Sequence, residues 1–325
     1  MTGIRSTVAV TATLFAVATA GCGLGPGESE EGTASLRVTR DHGAELIAEA
    51  TMDDPTESDT VVRFLDRETD IETSYGGNFV DSIDGLESSI DGGRSFDWYY
   101  YVNGYWSPVG AGEATVHAGD RIWWDYRDWT DSYRVPAVVG SYPEPFLDGF
   151  NGEKFPTQVV CFPSGDESGA CDAVEQSLTD AGVEPEGVTP ADAEDASKTL
   201  RVLVGDWDEV RVDRTARTLE GGPGESGVFA EPIECGDSWA LEALSADKTV
   251  NATGENAGWV ATAQLGDDQP TWLVSGTSAD TLDGAAALLT EDTLRDRYAV
   301  ATFGADPVPL PAADPIPGLQ DVKCP

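Results

Sequence analysis

Histidine is nearly missing from this chain: His42 and His117 are the only two among 325 residues. Acid–base catalysis built on imidazole has little to draw on. Also missing are a GxSxG nucleophile elbow, an HExxH pair, a P-loop and a GxGxxG turn after a strand, which removes the motif-based routes to hydrolase, zincin, NTPase and dinucleotide chemistry. GGPGESG, Gly221 to Gly227, is glycine-rich but has no lysine and no strand-to-helix context, so it reads as a mobile surface loop. Basic residues are scarce as well. With 19 Lys and Arg against 59 Asp and Glu, the formal charge is −40, and such a surface repels nucleic acid and anionic headgroups. Acidic side chains run along the whole chain, so no pair of them marks a site by itself. A carboxylate-based hydrolase in the second half is the weakest of the functional readings, and the chain is expected not to be an enzyme.

The one long uncharged run lies at the start. Arg5 is followed by residues 6–21 without charge and then Cys22, too short for a spanning helix of ~20 apolar residues but the right length for a signal peptide. Ala20-Gly21-Cys22 resembles a bacterial lipobox, with Thr19 standing where that motif usually has Leu. This resemblance implies a signal peptide over 1–21, a lipid on Cys22 and an extracytoplasmic, membrane-anchored protein. Residues 22–34 are rich in Gly, Pro and Glu and read as a flexible tether of at most ~40 Å.

Export gives the cysteines meaning. Without Cys22 an even set remains, Cys161, Cys171, Cys235 and Cys324, so two disulfides are expected and three pairings are possible. Cys161 with Cys171 and Cys235 with Cys324 is the preferred set, because the turn residues of CFPSGDESGAC suit a short loop and the second bond would tie down a Pro-rich terminus. A zinc site is the competing use, but there is no CxxC and neither histidine is near a cysteine in sequence.

What the chain has in excess is aromatic residues in one place. Between Phe96 and Trp129 lie five of nine Trp and five of nine Tyr. In the extended state of SFDWYYYVNGYW, Phe96, Trp98, Tyr100 and Val102 share one face and Asp97, Tyr99 and Tyr101 the other. Asn103-Gly104 is a two-residue hairpin signal, since both positions of a type I′ turn need positive φ. Trp98, Tyr100, Ile122, Trp124 and Tyr126 are expected to pair across a sheet and bury against a helix carrying Val61 and Leu65. Tyr99, Tyr101, Tyr105, Trp106 and Trp123 are the candidate ligand-binding residues, as an outward aromatic patch; the alternative is that a second domain covers them.

Around this cluster the pattern is a hairpin, SLRVTR then AELIAEATM, a short amphipathic helix started near Asp54 and Thr56 with Pro55 in its first turn, and further Gly-broken strands. The elements TVVRFLDRE, GNFVDSIDGL, FDWYYYVNG and GDRIWWDY closely resemble the transcobalamin-like C-terminal domain, of the DUF4430 type, over about Leu36 to Arg127. The resemblance implies a β-grasp-type sheet that binds a soluble ligand, with cobalamin or another corrinoid as a possible ligand and a membrane importer as a possible partner. The other reading of the aromatic patch is a surface module for glycan or protein contacts.

The expected fold class is α+β. An N-terminal β-grasp-like domain, antiparallel-rich with one helix, spans 35–133, a connector 134–154, and an α/β domain with both disulfides 155–325. In the second half TQVVCF and LRVLVG read as strands, Cys171 to Ala181 and DEVRVDRTARTL as helices, and TWLVSG-TSADTLDGAAALL as a strand followed by a helix capped at Ser278. LRVLVG and TWLVSG with their following segments form a weak internal echo.

Overall fold

The computed structural model describes residues 27–304, 306–319 and 324. The lipobox and its expected lipid on Cys22 lie outside them. The first module opens with a hairpin, β1 (Thr33–Arg40) and β2 (Glu45–Asp53), turned through Asp41, His42 and Gly43, all at positive φ. Helix α1 (Val61–Glu68) follows, burying Val61, Phe64 and Leu65. It starts later than expected. Asp59 accepts hydrogen bonds from the Thr56 amide (2.9 Å) and hydroxyl (2.7 Å), which holds 56–59 as a turn and leaves Thr60 as the N-cap residue. Strands β3 (Ile71–Ser74), β4 (Phe79–Ile83) and β5 (Leu86–Glu87) make a small side sheet. Then come β6 (Ser89–Asp91), β7 (Arg94–Val102), β8 (Tyr105–Trp106) and β9 (Arg121–Asp128).

The main sheet of this module has the order β2-β1-β9-β7-β6, with β8 paired to the end of β7. β1 and β9 are parallel and the neighbouring pairs antiparallel, an arrangement of β-grasp type. Trp98 faces Tyr126, Tyr100 faces Trp124 and Val102 faces Ile122 across the β7–β9 ladder. This row packs on α1 in one core with Leu36, Val38, Val80 and Ile83, as its parity requires. Tyr100 and Trp124 stack with centroids 4.8 Å apart.

The second half is built on a seven-stranded mixed sheet of order β11-β10-β12-β17-β16-β18-β19. Its members are β10 (Thr157–Cys161), β11 (Glu186–Val188), β12 (Leu200–Asp206), β16 (Gly258–Ala263), β17 (Thr271–Gly276), β18 (Ala299–Thr302) and β19 (Pro307–Leu310). Helices α2 (Pro163–Ser168) and α3 (Ala170–Asp180) follow β10, and α4 (Trp207–Val210) follows β12. A three-stranded antiparallel sheet, β13 (Ala230–Cys235), β14 (Ser238–Leu244) and β15 (Val250–Gly254), precedes β16. Helix α5 (Leu282–Ala287), led by a 3₁₀ turn with a Ser278–Thr281 capping box, and α6 (Glu291–Leu294) complete the chain's helices among the described residues. The whole is α+β, rich in sheet and poor in helix. Disulfides join Cys161 to Cys171 and Cys235 to Cys324.

The echo between LRVLVG and TWLVSG has a structural counterpart. The two segments are β12 and β17, parallel neighbours with Val202 opposite Trp272 and Val204 opposite Val274. DEVRVDRTARTL is not one helix but the single turn of α4 and a 3₁₀ stretch over Ala216–Gly224. Its acidic side chains find partners across that break: Asp213 takes the Arg201 guanidinium (3.0 Å) and also accepts from the amides of Thr215 (2.8 Å) and Ala216. GGPGESG is likewise only partly at the surface. Gly222, Pro223, Ser226 and Gly227 are buried, and a Cβ on Gly227 would stand 2.8 Å from Pro136 Cδ.

Candidate functional site

The centre of the β-grasp sheet face opposite α1 is withdrawn from solvent. Tyr99, Tyr101 and Trp123 lie in one apolar core with Trp207, Phe229, Trp259 and Tyr298 of the second half. Tyr298 packs edge-on against Trp123 (5.3 Å) and Tyr101 (5.9 Å). Tyr105 is buried too, stacked on Phe150 at 4.4 Å with its hydroxyl donating to Gln269 Oε1 at 2.8 Å. Trp106 is half-buried beside Tyr99 and Tyr133. Tyr99, Tyr101, Trp123 and Trp106 are thus brought together, but as an internal seam, while Tyr105, opposite Val102 on the β7–β8 ladder, is buried apart from them on the side of Phe150. The outward patch is replaced by coverage, and the physical reason is area: a row of rings this large is withdrawn from water by the nearest apolar surface, here Phe229, Trp259 and Tyr298.

Polar groups punctuate the seam. Asp125, fully buried, accepts from the Thr39 hydroxyl (2.6 Å), the Gly43 amide (3.0 Å) and the Tyr298 hydroxyl (2.9 Å). Burial pushes its carboxyl up to about 6, despite those hydrogen bonds. Arg127 is also buried; its guanidinium sits 4.0 Å from the Tyr99 ring centroid and donates to the carbonyls of Ser132 (2.8 Å) and Tyr133 (2.9 Å). His42, between Phe229 and Tyr298, is held neutral, its imidazole lowered to about 3 by desolvation and by Arg127.

Where the seam reaches the surface it opens into a cleft of about 710 Å³. Three parts of the chain build it. β1 supplies Arg37, and the start of β9 with the residue before it supplies Asp120, Arg121 and Trp123; the segment after β9 supplies Ser141, Glu144 and Asp148; and α6 with the residues after it supplies Glu291 and Asp296. Two ion pairs tie these walls together. Arg37 binds Asp296 through Nε and Oδ1 at 2.7 Å and Glu49 at 2.6 Å, while Arg121 binds Glu291 and the Tyr142 carbonyl, both at 2.9 Å. The connector 134–154 is itself packed: Val135 and Val138 enter the seam's core, and Val139, Tyr142 and Phe146 enter the core beneath the second sheet.

Asn103 shows how the hairpin serves the cleft. Its backbone, at φ 53, begins the expected turn and Gly104 follows at φ 83. Its side chain, fully buried, donates to Asp120 Oδ1 (2.9 Å) and the Gly149 carbonyl (2.8 Å) and accepts from the Arg121 amide (2.7 Å). Asp120, 3 % exposed, is thereby fixed in the cleft wall; burial raises its carboxyl to about 6 against hydrogen bonds from Asn103 and the His117 amide. Glu144, 2 % exposed, accepts from the Asp148 amide at 2.8 Å. Burial, then the neighbouring Asp148 carboxyl, pushes it well above the usual carboxylate range.

None of Arg37, Arg121, Ser141, Glu144 or Asp148 stood out in the sequence. Carboxyls are too common in this chain for one to attract notice, and the cleft joins residues up to 259 positions apart. The one local sign is Glu144 between Pro143 and Pro145, an acid in a stiff, apolar stretch. Among the described residues no group of three or more His, Cys, Asp and Glu is arranged to hold a metal ion. No described helix is long and apolar enough to cross a membrane.

The fold and cleft define a β-grasp-like module seated face-on against an α/β unit, with a concave polar site at the seam. Residues 58–128 match the family model described as a domain of unknown function (DUF4430). The matched span leaves out β1 and β2, which nonetheless complete the same sheet. Among solved structures the chain is similar to one described as "a putative metal binding protein from Ruminococcus gnavus ATCC 29149", at 18 % identity and a TM-score of 0.24, covering 30 % of this chain and 98 % of that one. No curated protein matches.

Proposed function

We propose that this chain is an exported, lipid-anchored binding protein that holds a small molecule in the cleft between its two halves. The observation that carries the reading is the cleft itself. At about 710 Å³ it has the size of small-molecule sites, and its walls converge buried polar groups, with Trp123 also in the lining. The expected tether of residues 22–34 is shortened, since from Glu28 the chain pairs with residues 54–57, and Thr33 and Ala34 belong to β1. The residues directly after Cys22 act as the tether, and delivery to a membrane importer is the role such an anchor serves. The reading is one of binding without chemistry, so a captured molecule leaves unchanged. A corrinoid is one ligand to test, on the strength of the resemblance over Leu36 to Arg127. The aromatic seam supports the reading indirectly, because rings buried between the halves hold the cleft walls in place.

The test is calorimetric titration of the full chain with a panel of small polar solutes that includes cobalamin and cobinamide, up to about 1 mM. Saturable binding with a stoichiometry of one, a change in Trp fluorescence, and recovery of the ligand intact are expected for at least one class. Silence across the panel overturns the reading, and recovery of a cleaved product overturns its binding-only form.

A further inference from the structure

The charges that reach the cleft do not balance, and the imbalance specifies what would enter. Three guanidiniums line it and each is already held: Arg37 by Asp296 and Glu49, Arg121 by Glu291, and Arg295 by Glu291 at 3.4 Å. Three further carboxyls remain. Asp148 pairs at 3.0 Å with Lys154, a side chain that is largely exposed. Asp120 and Glu144 are almost wholly buried, and among the described residues neither makes a salt bridge of its own, although the Arg121 charge acts on Glu144 and its carboxyl also meets that of Asp148. Beside Glu144 lies Ser141, 3 % exposed, whose hydroxyl makes no hydrogen bond within the described residues. Carboxyls that outnumber the cations around them cost free energy in a buried wall until a donor reaches them, and a hydroxyl that lines the cleft without a protein partner is free to accept from the same donor.

We infer that the cleft selects a small organic cation, a primary ammonium compound, whose N–H donors meet Glu144 and the Ser141 hydroxyl. An ammonium group offers three donors and one positive charge, which matches a carboxyl and a hydroxyl on one wall. Trp123 also lines the cleft, although its ring is packed on Tyr101 and Tyr298 in the seam. Anions find no free guanidinium here. Long-range attraction works in the same direction, since a chain of charge −40 concentrates cations around it. Without three clustered ligating side chains, a bare metal ion is a poorer fit than an amine. This assignment rests on the binding reading above and names its ligand class.

The experiment uses probes that share a skeleton and differ in charge: glucosamine, glucose and glucuronate, and 1,5-diaminopentane against 1,5-pentanediol. Titrations of the full chain run at about 0.15 M salt, where loose surface pairing is screened. Amines are expected to bind one per chain, at least about tenfold tighter than their neutral and anionic analogues. Glu144→Gln, which keeps an acceptor for the Asp148 amide, is expected to lose that preference while its near-UV circular dichroism is unchanged. Lys154→Ala, whose side chain is on the outer side of Asp148, serves as the second variant and is expected to bind amines as well as the unaltered chain or better. Neutral or anionic probes that bind as tightly as amines overturn the cation assignment and leave the binding reading standing. So does amine binding that Glu144→Gln does not weaken. If neither these probes nor the wider panel binds at all, it is the binding reading that fails, and the assignment falls with it.

Discussion

Replacing Asp125 by Asn isolates one buried ionisation at the seam and gives a pH signature that contact loss alone would not. In the folded chain the Asp125 carboxyl is pushed from 3.8 to about 6, chiefly by desolvation. In the unfolded chain it returns to the ordinary aspartate value of about 3.9. Between those two values the folded state holds a proton that the unfolded state has released, so stability falls as pH rises through the window. Two pKa units correspond to about 3 kcal/mol, present below about pH 4 and lost by about pH 6. Carboxyls held low, such as exposed Asp247 near 2, behave oppositely but change only below about pH 4, outside the window. Asn keeps the geometry: its carbonyl accepts from the Thr39 hydroxyl and the Gly43 amide, as Oδ1 does now, and the Tyr298 hydroxyl turns to accept where it donated. Urea unfolding followed by Trp fluorescence from about pH 4 to pH 7 is the assay. The unaltered chain is expected to lose several kcal/mol across that range, since Asp120 and Glu144 add shifts of the same sign, and the variant about 3 kcal/mol less. Equal slopes for the two proteins would refute the argument that burial at the seam holds Asp125 protonated.

Further outcomes follow from other parts of the structure. Cys235 and Cys324 close a loop of 89 residues and Cys161 and Cys171 one of 10, so loop-closure entropy predicts losses of about 4.6 kcal/mol for Cys324→Ser and about 2.7 kcal/mol for Cys171→Ser, ranked by denaturant melts. Gly43→Ala is expected to destabilise more than Gly92→Ala: both sit at positive φ, costing about 1–2 kcal/mol, but a Cβ on Gly43 would lie 1.8 Å from the Asp296 carbonyl while one on Gly92 meets nothing within 4 Å. Thermal melting compares them. Tyr105→Phe removes the hydroxyl that meets Gln269 and is expected to cost about 1 kcal/mol, with the stack on Phe150 preserved. Residues 35–133 expressed alone would expose Tyr99, Tyr101 and Trp123, and are expected to bind a hydrophobic dye strongly where the full chain does not.

The first module's architecture was largely legible because its information is local. Alternation along β7 and β9 sorts Trp98, Tyr100, Trp124 and Tyr126 onto one face whatever the rest of the chain does, and Asn103-Gly104 admits few turns other than the tight one it makes. The disulfide pairs were legible for a similar reason: the turn residues between Cys161 and Cys171 favour their short loop, and the other two cysteines are then left to each other. Where DEVRVDRTARTL breaks, Asp213 bonds both the local Thr215 and Ala216 amides and the distant Arg201 of β12, a partner that no local pattern announces. The fate of GGPGESG also depends on distant residues, since Gly227 is needed to let the chain pass Pro136.

By itself, then, the sequence determined which rings share a face, where the chain turns and which thiols meet, all consequences of backbone geometry over a few residues. It left open whether the face with Tyr99, Tyr101 and Trp123 would be wet, because burial depends on what another part of the chain brings to it. Only the tertiary structure decided that Phe229, Trp259 and Tyr298 cover that face. The same packing sets Glu144, Ser141 and Asp120 around one cleft, three common polar residues that acquire a shared chemistry when water is withdrawn from them.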